Sequence, residues 1–233
     1  MAFELRVRRD AQSVKESGGA FIKESGVYPI TINFVSLNKS DKGAVSFAIN
    51  FNYQGSTQTL YGPTIQNTNG EENEIGYRVL NKLFVIADLP AGAQPTIETE
   101  IHSVGKDNKP TEFEVLTDLS GLEVQVQVVR EFTKYKGEIK DRTHPINFFR
   151  ADGATADEII ASEADENVEI GKQLAKILEK ESTTKPKLGK DEHGQPVTQD
   201  EVDAYLEAIK SGNKQSASTA SSNPAPIKKN LFA

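Results

Sequence analysis

The sequence contains no cysteine and no tryptophan, and only three histidines, in 233 residues. Without cysteine, neither a disulfide framework nor a thiolate metal site can form. His102, His144 and His193 lie far apart and lack metal-ligand spacing, so no metal or other cofactor is predicted. No apolar run approaches the roughly 20 residues of a membrane span, and the N-terminal MAFELRVRRD is too short in apolar residues for a signal peptide. We therefore expect a soluble protein without membrane association.

Catalytic signatures are missing as well. The chain has no Walker loop, no GxSxG motif, no cysteine nucleophile and no carboxylate cluster with metal spacing. Acidic pairs such as Glu71-Glu72 and Asp200-Glu201 fall in a polar loop and at a helix start, where solvation explains them. The sequence predicts a protein without enzymatic activity.

The whole chain has a net charge of −7, and most of this excess negative charge lies in its last third. Residues 1–150 carry 17 Lys and Arg against 19 Asp and Glu, whereas residues 151–233 carry 10 against 15. Because the first part is nearly balanced, any nucleic-acid site must be a local patch and not a whole-surface attraction.

Alternating apolar residues predict three strands in the first third of the chain. Residues 27–37 place Tyr28, Ile30, Ile32 and Phe34 on one side of an extended chain. Residues 44–53 alternate more regularly, so their phenylalanines should face a core. A short strand follows over 57–61, and Gly62-Pro63 should end it, because proline lacks the ladder N–H.

Apolar residues spaced by three and four from Glu74 to Leu89 predict an amphipathic helix. Further strands are predicted over 96–104, 111–117 and 122–132. Strand, strand, strand, helix, strand, strand is the order of an OB-fold, a partly open barrel whose open face often binds single-stranded nucleic acid. Small antiparallel sandwiches share this order. The predicted fold is mainly β: an OB-fold-like antiparallel barrel with one inserted helix over 1–150, followed by C-terminal helices and a disordered tail.

The C-terminal part contains two capping boxes, at Thr155 with Glu158 and at Thr198 with Glu201. They predict a charged helix within 151–181 and a short helix over 198–210, joined by a linker over 182–197. The low-complexity stretch 211–233 should be disordered, with an apolar tip. Leu231 and Phe232 in that tip are candidates for partner binding, although so short a tip can also be without function.

Binding of a single strand requires cations for phosphates and flat rings on which bases stack. The segment 130–150 interleaves both, although its aromatics can also complete the core while its charges face water. Loop lysines and a basic N-terminal arm are further candidates, with solvated loops and strand edges as the alternative. Tyr53 and Tyr61, at strand ends, are the expected stacking residues of the sheet. The candidates are Arg6, Arg8, Arg9, Lys39, Lys42, Tyr53, Tyr61, Lys106, Lys109, Arg130, Lys134, Tyr135, Lys136, Lys140 and Arg142.

Four segments carry a resemblance to a known family: GVYPITINF at 26–34, SFAINFNY at 46–53, GYRVLNKLF at 76–84 and the final NLF. With them the chain resembles bacteriophage single-stranded DNA-binding proteins of the OB-fold replication type. The resemblance implies sequence-tolerant binding of single-stranded DNA in replication or recombination, in the cytoplasm of an infected bacterial cell. It also implies a C-terminal tail that recruits replication proteins. That tail is normally strongly acidic and ends in Phe, whereas here Lys228-Lys229 precede a final Leu231-Phe232-Ala233.

The alternative is a structural or assembly module of a phage particle, a β-sandwich with a helical extension. An acidic chain without an obvious basic face suits it. The two functions differ in salt dependence, because phosphate binding weakens steeply as salt rises. The sequence leaves open the oligomeric state, the preference for DNA or RNA, and whether the 151–181 helix packs on the barrel or on another subunit.

Overall fold

A computed structural model describes residues 20–105 and 109–211 of the chain. Its strands and α-helices are, in order, β1 (Gly26–Lys39), β2 (Val45–Tyr53), β3 (Ser56–Gln66), α1 (Glu74–Ile86), β4 (Ile97–Val104), β5 (Lys109–Leu116), β6 (Glu123–Tyr135), β7 (Glu138–Arg150), α2 (Ala156–Ala164), α3 (Lys172–Leu178), β8 (Lys187–Leu188) and α4 (Gln199–Lys210). The prediction of a mainly β, OB-like fold with one inserted helix and C-terminal helices is confirmed. No helix in the described part is long and apolar enough to cross a membrane.

All the strands belong to one sheet, and β1 lies at its centre. Neighbouring strands follow the order β3-β2-β1-β5-β4, and β6 pairs with the first half of β1 and with β7. Every pair is antiparallel except the short contact of β6 with β8. The sheet is not closed into a barrel, because β3 pairs only with β2 among the described residues.

The main core lies between this sheet and α1. Asn73 caps α1, since its side chain accepts a hydrogen bond from the Gly76 amide at 3.1 Å. Gly76 allows the helix to pack closely on β3, because a Cβ there would lie 1.8 Å from the Thr64 carbonyl oxygen. Phe47 and Phe51 of β2 are fully buried in this core, as their alternation predicts.

Strand β3 continues past Gly62-Pro63, where the sequence predicts its end. The register with β2 shifts between Ser46 and Ala48, so Pro63 falls at an irregularity of the ladder, the position in a sheet that proline tolerates. Gly62 is needed for packing, because a Cβ there would lie 2.3 Å from the Phe47 ring. The two residues therefore shape the strand instead of ending it.

The predicted facing of β1 is wrong at Phe34. The register with β2 shifts between Ile32 and Phe34, which is a β-bulge. Ile30 and Ile32 before the bulge and Val35 after it all belong to the core cluster. Phe34 is therefore turned to the opposite face of the sheet, where it lies directly opposite Asn50.

The single helix predicted within 151–181 is two helices, α2 and α3, separated by a turn that ends at Gly171. The buried Glu158 carboxylate causes this turn. It accepts hydrogen bonds from the backbone amides of Thr155 at 2.9 Å, Gly171 at 3.2 Å and Gln173 at 2.9 Å. Gly171 takes the φ of +79° that the reversal requires. Both predicted capping boxes are present.

Two of the C-terminal helices, α2 and α4, pack on the sheet of the same chain. Ile159 of α2 joins the main core, and α4 contributes Val202 to a second cluster with Phe132 of β6 and Val197. The predicted linker 182–197 is therefore structured, with β8 paired to β6 and Val197 buried. The predicted tail beyond residue 211, including Leu231 and Phe232, lies outside the described residues.

Candidate nucleic-acid interface

Three aromatic rings meet on the face of the sheet opposite to α1, which we call the open face. The bulge in β1 directs Phe34 there, and the β4–β5 hairpin brings His102 and Phe113 onto it. The rings of Phe34 and His102 are stacked, with centroids 3.9 Å apart and planes 15° from parallel. The Phe113 ring lies 5.4 Å from Phe34 in a tilted arrangement. The open face thus carries a compact aromatic cluster.

A shallow recess adjoins this cluster. Its aromatic wall is formed by Phe34, Phe113 and Tyr61, and its remaining lining is small or polar: Ser36, Asn38, Ala48, Asn50, Thr59 and Val104. Tyr61 is 49% exposed, so about half of its side chain is accessible to a partner. The polar lining is held in place, since Asn50 accepts a hydrogen bond from the Asn33 amide at 2.8 Å and donates one to Thr59 at 3.4 Å.

Three lysines surround the recess. Lys39 is the last residue of β1, directly after the recess residue Asn38, and Lys42 lies in the β1–β2 turn. Lys109 lies opposite the recess residue Val104 in the β4–β5 pair. All three are exposed, and none makes an ion pair within residues 20–105 and 109–211. They are the cations best placed to meet phosphates beside the aromatic cluster.

Carboxylates lie on the same face and limit its positive charge. Glu98 and Glu100 belong to β4, opposite Val115 and Phe113 respectively. The Glu100 carboxylate lies 2.6 Å from His102 Nε2 and so fixes the ring that stacks on Phe34. The open face is consequently an aromatic and amide-rich surface with cations at its rim, and not a strongly basic groove.

The second candidate region is the end of the β6–β7 pair, residues 130–142, which we call the basic hairpin. Arg130 is committed to structure there, with a side chain only 13% exposed. Its guanidinium donates to both Asp141 oxygens, at 3.0 and 2.7 Å, and to Glu24 at 2.7 Å. Chiefly the hydrogen bond to Asp141 raises the pKa of Arg130 above its ordinary value, against the effect of burial. The guanidinium also lies 4.8 Å from the Phe132 ring centroid.

Other cations of the basic hairpin are engaged too. Lys134 donates to Glu201 of α4 at 2.6 Å, and Lys140 donates to Glu138 at 2.6 Å. The Lys136 ammonium lies 5.3 Å from the Tyr135 ring centroid, a cation–π contact.

Arg142 is exposed and makes no ion pair among the described residues. Tyr135 is 52% exposed at the turn. Despite its many cations, the basic hairpin therefore offers few that are free for phosphates.

The structure brings only part of the predicted set together. Lys39, Lys42, Tyr61 and Lys109 lie around the open face, whereas the basic hairpin is a separate region. Tyr53 lies on the core side of β2, edge-on to Tyr28 with ring centroids 5.5 Å apart, and packs against the main core. The remaining candidates, Arg6, Arg8, Arg9 and Lys106, lie outside the described residues.

Sequence reasoning missed the aromatic cluster itself. Phe34 follows the same alternation as Ile30 and Ile32, so pattern alone assigns it to the core. The sequence signal for His102 and Phe113 is the alternation on β4 and β5, which places them on the same face as Glu100 and Thr111. Alternation alone does not predict that these two rings lie beside Phe34, because that prediction requires knowing that β5 pairs with β1.

No family model matches this sequence, and no curated protein matches it significantly. Within the described residues, no group of three or more His, Asp and Glu side chains is placed to hold a metal ion.

Proposed function

We propose that this protein is a non-catalytic binder of single-stranded DNA that holds bases against the open face. The observation that carries the proposal is the half-exposed Tyr61 ring beside the cluster of Phe34, His102 and Phe113, in which the buried Phe34 supports the recess and does not itself meet a base. Stacking of a base on an aromatic ring contributes about 1–3 kcal/mol and tolerates any base, because every base has a flat face. Binding of this kind is sequence-tolerant.

The charges at the rim set how binding depends on salt. Each single-strand phosphate neutralised by a cation contributes about −0.7 to the slope of log affinity against log salt. Lys39, Lys42 and Lys109 together would give a slope of about −2. Because Glu98 and Glu100 lie on the same face, stacking supplies a larger share of the affinity than phosphate contacts do.

The biological role follows from the family that the sequence resembles. We place the protein in phage DNA replication or recombination, acting in the cytoplasm of the infected cell. The C-terminal tip with Leu231 and Phe232 would recruit replication proteins.

A structural or assembly module of a phage particle is the second candidate function. The acidic β4–β5 hairpin favours it, since Glu98, Glu100, Glu112 and Glu114 repel phosphates and suit a protein partner. A protein contact on this hairpin need not weaken steeply with salt, whereas single-strand binding does.

The test is fluorescence anisotropy of a labelled oligothymidine of about 30 nucleotides, long enough for one or more OB-type sites, titrated at low and moderate salt. Duplex DNA of equal length is the control. We expect saturable single-strand binding with a slope of about −2 and little duplex binding. Absence of single-strand binding at low salt would exclude the proposal and leave the assembly module.

A further inference from the structure

The three long edge strands of the sheet differ in how well they are protected from pairing with another chain. An unprotected edge strand presents unpaired N–H and C=O groups to any second strand. β3 carries Pro63, has an irregular register and is covered in part by α1. β7 carries Pro145, and its register with β6 shifts near Val128. Both are edges of the kind that resists further pairing.

Strand β4 has neither proline nor bulge. Its eight residues pair with β5 without any register shift, and within residues 20–105 and 109–211 no strand pairs with its other edge. Two apolar side chains lie exposed along it, Ile101 at 73% and Ile97 at 40%. A long, regular edge with exposed isoleucines is the feature that natural sheets avoid unless the edge is used.

The side chains of β4 are self-complementary in one register. We propose that β4 pairs antiparallel with β4 of a second copy of this chain, around a two-fold axis at Ile101. Directly opposite residues in an antiparallel pair have Cβ atoms about 5 Å apart. This register places Ile101 against the partner's Ile101, and Glu100 against the partner's His102.

Registers shifted towards the start of β4 are worse for electrostatic reasons, and a shift in the other direction pairs fewer residues of β4. An axis at Glu100 would place that carboxylate against its own copy, and an axis at Thr99 would place Glu98 against the partner's Glu100. Like charges directly opposite each other destabilise a strand pair. The axis at Ile101 avoids both contacts and sets the Glu100–His102 pair of each copy beside that of the other copy, with each carboxylate opposite an imidazole.

The pairing has a geometric consequence for the open face. Opposite residues in a strand pair lie on the same face of the sheet, so His102 of one copy and the partner's His102 would share one continuous surface. Two aromatic clusters would then flank the axis. A single pair of eight-residue strands is a small interface, so the dimer belongs to the weak, concentration-dependent class.

The absence of cysteine from the sequence permits a register-specific test on the full chain without DNA. Ile101→Cys should form an intermolecular disulfide under mild oxidation, because a disulfide needs Cα atoms within about 7 Å. In the proposed register, residue 97 lies opposite residue 105. Ile97→Cys would therefore be about 27 Å from its copy, at about 3.3 Å per residue, and should not cross-link. Ile160→Cys, at an exposed site on α2, is the control for random collision.

Sedimentation equilibrium supplies the second measurement. The wild-type mass should rise with concentration from that of the 25.5 kDa chain towards twice this value. Ile101→Lys places two ammonium groups on the axis and should raise the dimer dissociation constant roughly tenfold or more, whereas Ile160→Lys should leave it unchanged. A monomer at every concentration, an unchanged dimer in Ile101→Lys, or equal cross-linking at 97 and 101 would overturn the proposal. Neither measurement involves DNA, so both stand apart from the proposed binding function.

Discussion

The open face and the basic hairpin contain the same kinds of side chain but use them in opposite ways. On the open face, Tyr61 is half exposed and the nearby Lys42 makes no ion pair among the described residues. On the basic hairpin, Arg130 is held by two carboxylates, and Lys134 donates to Glu201 of α4. The basic hairpin therefore contains more cations than the open face but leaves fewer of them available to bind phosphates.

This difference shows that availability, and not number, decides whether a basic segment can bind phosphates. The basic hairpin serves as the platform on which the C-terminal part of the chain packs, through Phe132, Val197 and Val202. Its charges orient that contact. The open face keeps the Tyr61 ring half exposed, whereas Phe34 is buried under the stacked His102 ring.

The largest expected effect concerns the platform. Phe132 is fully buried, so Phe132→Ala should lower the free energy of unfolding by about 3–5 kcal/mol, from lost burial and the cavity left behind. Urea denaturation followed by circular dichroism measures it. Ile160→Ala, at an exposed site, is the control and should change stability by less than about 0.5 kcal/mol. A loss below about 1 kcal/mol for Phe132→Ala would show that the C-terminal part does not pack on the hairpin.

Two tyrosines of almost equal exposure should differ in how much they contribute to DNA binding. Tyr61 on the open face is 49% exposed and Tyr135 on the basic hairpin is 52% exposed. Tyr61→Ala should weaken oligothymidine binding by about 1–3 kcal/mol, the value of one stacked base. Tyr135→Ala should change it much less, because the cations around Tyr135 are mostly engaged. Anisotropy titrations of both variants at one salt concentration measure the two losses of affinity. Equal losses would assign the hairpin to the binding site as well.

A smaller effect distinguishes a free cation from a paired one. Lys42→Gln should reduce the magnitude of the salt slope by about 0.7, the contribution of one single-strand phosphate contact. Lys134→Gln, which removes the partner of Glu201, should leave the slope unchanged. Titrations at several salt concentrations give both slopes. If Lys134→Gln changed the slope and Lys42→Gln did not, the roles of the two regions would be reversed.

Much of this fold is predictable because its signals are local. Strands β1 and β2 follow from alternation, α1 follows from apolar spacing, and the capping boxes at Thr155 and Thr198 each lie within four residues. The turn between β6 and β7 is also determined locally, because Gly137 takes a φ of +80° that glycine adopts readily. In all these cases the residues that determine the element are the residues that form it.

The remainder depends on contacts between distant parts of the chain. The bulge that turns Phe34 to the open face arises where β1 changes partners, between β6 and β5. The break after α2 depends on Glu158 reaching the amides of Gly171 and Gln173. Pairing of Lys134 with Glu201 joins residues that are 67 positions apart. No local sequence pattern spans such separations along the chain. The sequence therefore identifies the cations of the basic hairpin but not the carboxylates with which they pair.

The smallest expected effect is the pH dependence of the contact between Lys134 and Glu201. The hydrogen bond from Lys134, aided by those from Thr198, lowers the pKa of Glu201 from 4.5 to about 2. Because the folded pKa lies below the unfolded one, this stabilisation is complete above pH 4.5 and disappears as the pH falls towards 2. Hydrogen exchange of the α4 amides across this range measures it, and protection should decrease more in the wild type than in Glu201→Gln. The same pH dependence in both proteins would show that the ion pair does not help to hold α4 on the hairpin.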